Sequence, residues 1–179
     1  MSPADPPLAT VEGLFWRAIR ADRAEAVLAP PGPDGAGRYH RPGEPALYLT
    51  LKVDWARTAI AGYWRKDGAP RVAVPLNLTP ARVFDPRDPV ACAALSVDPD
   101  WTRQSWLTAL AERREPPSWR ISDAARASGA DGMIDISRGI PGGWHVVLFR
   151  WNVPGAPSVT PAGAPEPLAP PNPEGPVWG

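Results

Sequence analysis

Cysteine is almost missing from this chain. Cys92 is the only one in 179 residues, which excludes an internal disulfide and any multi-cysteine metal site. Histidine is nearly as scarce. His40 and His145 stand far apart in the sequence, so a histidine-based zinc site is not expected, and no metal is assigned. Charge of one sign is lacking too: 19 Lys and Arg face 19 Asp and Glu. Non-specific nucleic-acid binding needs a basic face, and a balanced chain gives it no support, so direct nucleic-acid binding is not expected. Basicity rests on arginine, because Lys52 and Lys66 are the only lysines. No stretch reaches the roughly 18 to 20 apolar residues that cross a bilayer. The first ten residues lack the basic start and apolar run of a signal peptide. A cytoplasmic protein with no membrane contact is the expectation.

Proline, by contrast, is plentiful, with 26 residues unevenly spread. Residues 152–179 are dominated by Pro, Gly and Ala and show no periodic apolar positions. Such a segment buries too little surface to offset its ordering entropy, and a disordered or extended tail is expected. Trp178 near its end is incidental or a docking residue. Residues 1–10 form an arm, leaving residues 11–151 as the folded domain.

Within that domain the pattern mixes helix and strand. Leu14 to Ile19 reads as a first strand, and Asp22 to Leu28 as one or two helical turns stopped by Pro30 and Pro31. Pro31 to Gly43 is loop, and Ala46 to Leu51 a strand. Asp54 is placed to cap a helix running to about Lys66 and ended by Gly68. Alternating Val72, Val74, Leu76 and Leu78 mark the clearest amphipathic strand, and Val83 to Asp85 adds a short one. Helices follow at Pro89 to Leu95, at Asp100 to Arg113 (capped by Asp100) and at Ser118 to Ser128. Met133 to Ile136 and Val146 to Trp151 read as closing strands. This order describes an α+β domain, with helices gathered between early and late strands. Nine tryptophans are many, but with balanced charge they serve packing rather than base stacking.

Generic signatures of catalysis are absent: there is no phosphate-binding loop ending in Lys-Ser, no His-Glu-x-x-His and no Gly-x-Ser-x-Gly. What stands out is three stretches in fixed order. These are Gly37-Arg38-Tyr39-His40, then Leu47-Tyr48-Leu49-Thr50, then Asp131 to Ser137 followed by Gly142-Gly143-Trp144-His145 and an apolar strand to Phe149. Taken alone, Arg38 is an exposed loop arginine and Tyr48 a core tyrosine. In this order and spacing, from about Phe15 to Phe149, the chain resembles the RES domain family.

The resemblance implies an ADP-ribosyltransferase-like fold, with small sheets forming a cleft that takes NAD as substrate rather than as a resident cofactor. It also implies a toxin–antitoxin role, with a helix-turn-helix antitoxin as partner. The roles it suggests are Arg38 for phosphate, Tyr48 and Tyr39 for nicotinamide or ribose, and Ser137 for amide or hydroxyl contacts. Arg17 is a further family-like position, and a charge in an apolar strand needs a partner or a cleft. Chemistry supports such roles, since arginine binds phosphate bidentately and tyrosine faces attract a cationic ring.

Two departures from the family pattern stand beside these matches. The family helix commonly reads Thr-Ala-x-x-Glu, whereas this chain has Thr58-Ala59-Ile60-Ala61-Gly62. Cleavage of the nicotinamide–ribose bond of NAD builds a cation on the ribose that a carboxylate would stabilise, and Gly62 cannot do so. His40 and His145 occupy positions where the family usually has asparagine, which gives them a donor, an acceptor and a charge that changes near neutrality. Either a retuned site, with hydrolysis, phosphorolysis or transfer as its reaction, or a degenerate nucleotide- or protein-binding module fits this sequence.

Overall fold

The computed structural model describes residues 6–172. Trp178 lies outside the described residues. The longest strands are β1 (Ala9–Arg20) and β3 (Arg71–Phe84), which pair antiparallel from Ala9↔Val83 to Arg20↔Arg71. The register slips between Val11 and Gly13, where Thr79 and Pro80 oppose Glu12 alone. A proline has no amide to give the ladder, and at this bulge none is asked of it. The strand expected to stop at Leu78 therefore continues to Phe84 and absorbs the short strand expected at Val83.

The far end of β3 pairs parallel with β4 (Gly132–Ile136), which pairs antiparallel with β5 (Trp144–Leu148). That strand pairs with β2 (Leu47–Thr50), which returns to β1 at Trp16↔Thr50. The strands expected as small sheets are thus joined into one circuit. Alternation sorts their side chains. Phe15, Leu47, Leu49, Leu76, Ile134, Val146 and Leu148 fill one core. On the other face Met133, Val147 and Phe149 pack with Phe84, Ile121 and Ala125. Helices α2 (Pro89–Leu95) and α4 (Pro117–Ala127) supply that second layer. The expected α+β class holds.

Helix α1 (Val53–Asp67) buries Ala56, Ala61 and Trp64, and ends where Gly68 takes φ +63° and its amide bonds the Trp64 carbonyl. Its start differs from expectation. Lys52 is the N-cap without a side-chain bond, and Asp54 sits exposed in the first turn, 3.7 Å from Arg57. The single helix expected from Asp100 to Arg113 is two pieces. A 3-10 turn at Pro99–Arg103 is capped by Asp98, and α3 (Trp106–Ala111) is capped by Ser105. Gln104 is extended between them and breaks the run. The turns expected after Asp22 form a 3-10 helix, Ala21–Ala26.

The described part of the proline-rich segment, residues 152–172, lies against the sheet. Short strands β6 (Val159–Pro161) and β7 (Glu166–Pro167) line up on β3. Asn152 fixes the entry, with its amide oxygen accepting from the Val159 N–H at 2.7 Å and its amide nitrogen donating to the Val159 carbonyl at 2.9 Å. Val159 is fully buried. The isolated valine and the pairing along β3 give this segment what its composition denied it. At the other end, Leu8 packs on the second core and Ala9 and Thr10 already belong to β1. Removing residues 158–179 should lower unfolding stability by about 2 kcal/mol or more, the worth of one buried valine before the lost pairing is added. Denaturant midpoints check it, and an unchanged midpoint would mean the segment is dispensable to the fold.

Candidate functional site

One face of the β2–β5–β4 strands carries a row of polar residues beyond the end of the second core. Thr50 pairs with His145, and His145 pairs with Asp135. The next row inward is Tyr48, Val147 and Met133. Above these rows, between the loop at 36–40, α1 and α3, lies a cavity of about 490 Å³.

Asp135 organises the site. Its Oδ1 accepts from Arg38 Nη1 at 3.1 Å and from the Tyr39 hydroxyl at 2.8 Å. The Arg38 and Asp135 side chains are only 11% and 10% exposed. Helix α4 holds the loop from the opposite side, where Trp119 Nε1 donates to the Gly37 carbonyl at 2.8 Å and the Ser118 hydroxyl donates to that of Arg38. Arg41 bonds Asp123 and lies 5.0 Å over the Trp119 ring, fixing the same contact from outside.

Tyr48 is committed in a different way from expectation. Its hydroxyl accepts from the Tyr39 N–H at 3.1 Å and lies 2.9 Å from His40 Nδ1. With the amide as donor, the phenol proton is left for Nδ1, so His40 takes the acceptor role there. Tyr48 therefore lines the cavity with its hydroxyl already committed. Burial raises its pKa, and that of Tyr39 more strongly.

Of the residues singled out in the sequence, Arg17, Arg38, His40, Tyr48, Ser137 and His145 all line the cavity. Tyr39 does not. It is fully buried in the second core with its hydroxyl on Asp135, so the expected aromatic contact to a ligand is corrected to a positioning role. Arg38 reaches the cavity with much of its charge already met by Asp135. Arg17 is the opposite case. Its Nη1 donates to the Val27 carbonyl, and Ala29 O is 3.5 Å away. No carboxylate among the described residues pairs with it, and burial pulls its pKa down to about 10. A cation held this way is ready for an anion.

Asp135 itself was missed as a site residue. It was legible, because an aspartate between Ile134 and Ile136 needs a partner just as Arg17 does. Among the described residues it is the only carboxylate lining the cavity, against Arg17, Arg38 and Lys66. The α1 wall presents Thr58, Ala59, Gly62 and Tyr63, and no acid. His145 is 7% exposed, with Nδ1 buried and unpartnered, and its ring stands edge-on to Trp55 at 6.3 Å. Among the described residues no group of three or more His, Cys, Asp and Glu could hold a metal. No helix there is long and apolar enough to cross a membrane.

The family model of the RES domain matches residues 14–170, and the chain belongs to that family. The match runs past Phe149 through β6 and β7. A chain in the crystal structure of the M. tuberculosis MbcT–MbcA toxin–antitoxin complex shares the fold, with a TM-score of 0.61 at 16% identity. The alignment covers 91% of this chain and 87% of that one. No curated protein matches the sequence.

Two outcomes test the geometry. A Cβ at Gly37 would lie 2.2 Å from His40 Cε1 and 2.9 Å from the Tyr48 hydroxyl. Gly37→Ala should therefore cost about 1–3 kcal/mol in stability, read by thermal melting. Burial lowers the pKa of both His40 and His145 below the usual 6.5, with Arg126 adding to the effect on His40. The unfolded chain then binds protons that the folded one refuses, so stability is full above that value and falls as pH drops through it. The melting temperature should fall between about pH 7 and pH 5. The variant carrying His40→Asn and His145→Asn should show a flatter profile over that range.

Proposed function

We propose that this RES domain binds NAD in the cavity and cleaves its nicotinamide–ribose bond, and that it is the toxin of a toxin–antitoxin pair. The observation that carries the reading is the charge pattern of the cavity, where the described residues set Arg17, Arg38 and Lys66 against a single carboxylate in a space of about 490 Å³. That size falls among ordinary ligand pockets. The cations suit the diphosphate of a dinucleotide, and the lone carboxylate suits a cationic centre.

Arg17 is the better diphosphate ligand, since Arg38 is held by Asp135. Arg38 then borders the ligand while fixing the carboxylate. The Tyr48 ring provides a flat face for nicotinamide, with cation–π attraction on the order of 1 kcal/mol or more in a dry site. Ser137, His40 and His145 border the same space and supply polar contacts. Water, phosphate or a protein group would accept the ADP-ribosyl unit.

The toxin role draws on the neighbour, whose structure is a toxin–antitoxin complex. An antitoxin partner, with a helix-turn-helix domain as the family resemblance implies, would seat at the cavity mouth. Tyr63 and Leu107 line it and are 57% and 50% exposed, an apolar rim suited to a covering surface. A second reading is favoured by one observation: the α1 wall has no acid where the family places its glutamate. On that reading the cavity binds a nucleotide without turnover.

The test is nicotinamide release by the purified protein, with and without phosphate, together with NAD binding by calorimetry. Turnover is expected. Arg17→Ala should weaken NAD and ADP-ribose alike by about 10- to 100-fold, because ADP-ribose keeps the diphosphate and lacks the nicotinamide. Tight NAD binding without nicotinamide release would select the second reading, and absence of NAD binding would reject both.

A further inference from the structure

We propose that Asp135 supplies the carboxylate that α1 lacks at position 62, and that His145 beside it takes the proton of the attacking water. The inference rests on the NAD-cleaving reading and gives it a mechanism for this chain. It starts from placement. Asp135 and His145 are register partners on adjacent antiparallel strands, and both point out of the sheet on the cavity side. Directly opposed side chains in such a pair have Cβ atoms about 4.5–5.5 Å apart, close enough to act on one small group.

The hydrogen bonds of Asp135 are one-sided. Arg38 and Tyr39 both bind Oδ1, and no hydrogen bond among the described residues reaches Oδ2. The carboxylate is thereby locked in orientation, with one oxygen kept for a ligand. Preorganisation of this kind lets a charged group act on a developing cation without having to reorganise. His145 is nine-tenths buried with Nδ1 packed away from any partner, and a buried unpaired polar atom in a native fold points to a task. Nε2 is then the nitrogen available to the cavity.

In the step, the bond between C1′ of the ribose and the nicotinamide nitrogen breaks, and its electron pair leaves with that nitrogen. Nicotinamide departs neutral, and the positive charge passes to C1′ and the ring oxygen, where Asp135 Oδ2 faces it. Water then forms the new C–O bond to C1′ and gives one proton to His145 Nε2, from which it passes to solvent. NAD and water become nicotinamide, ADP-ribose and a proton. The two departures in this chain are thereby linked, since the site lacks an acid on the helix and has an acid and an imidazole side by side on the strands.

Asp135→Asn keeps an oxygen for Arg38 and Tyr39 and removes the charge. It should lower kcat for nicotinamide release by about 100-fold or more, with NAD affinity held within a few-fold. His145→Asn breaks no hydrogen bond of the fold. It should lower kcat by about 10- to 100-fold, also at near-constant affinity, which keeps the test open if the Asp135 variant fails to fold. Turnover at the parent rate by either variant overturns this assignment and leaves the NAD-cleaving reading standing. An unsubstituted protein that releases no nicotinamide overturns both.

Discussion

The buried bond from Arg38 and Tyr39 to Asp135 is the interaction on which the site depends. It joins a glycine- and proline-rich loop, which has no regular structure of its own, to the C-terminal end of a core strand. Loops of this composition are ordinarily mobile. Here the loop is gripped from two sides, by Asp135 on β4 and by Ser118 and Trp119 on α4. Removing one member of a buried ion pair typically costs about 3–5 kcal/mol, because the other charge is left stranded. The pair therefore couples folding of the loop to integrity of the cavity floor.

A chain of positions follows from that bond. With Tyr39 fixed by its hydroxyl, its backbone amide is aimed at the Tyr48 hydroxyl, and the phenol in turn meets His40 Nδ1. Each group in the series is spent on holding the next. Arg17 is left for other work, because among the described residues its guanidinium meets carbonyls and no carboxylate. Residues that appear equivalent as candidates in a motif thus divide into those that build the site and those that face a ligand. Hydrogen-bond accounting draws the line between them.

Much of the fold was legible in the sequence, for physical reasons that differ by element. The alternation in β3 and the apolar runs of β2, β4 and β5 reported burial directly, and each of those strands formed. Asp54 failed as a cap because the chain turns into α1 two residues earlier, at Lys52, which puts the aspartate in the first turn. The strands β6 and β7 were hidden because their composition gives no local reason to order. Their partner β3 lies far away in sequence, and pairing with it decides the matter. In the site, the RES motifs marked six residues that the fold does gather at one cavity. They could not show that Tyr39 would face the core, since a loop residue does not declare its side until its neighbours are placed. Asp135 carried a local signal, an acid flanked by isoleucines, that a search for matches to a family pattern passes over.

The electrostatics of the cavity divide between two poles. An unpaired acid at a strand position beside a core is costly to bury. Instead Asp135 is held on a single oxygen by two donors, one of them a tyrosine hydroxyl whose remaining surface is wholly buried. Arg38 offsets part of its charge, so the field it projects into the cavity comes from the oxygen left unbonded. Arg17, on the far strand, sets the opposite pole. A molecule that is anionic along its middle and cationic at one ring would align between them. That polarity resides in side chains on β1 and β4, two strands of one closed circuit, and so depends little on α1.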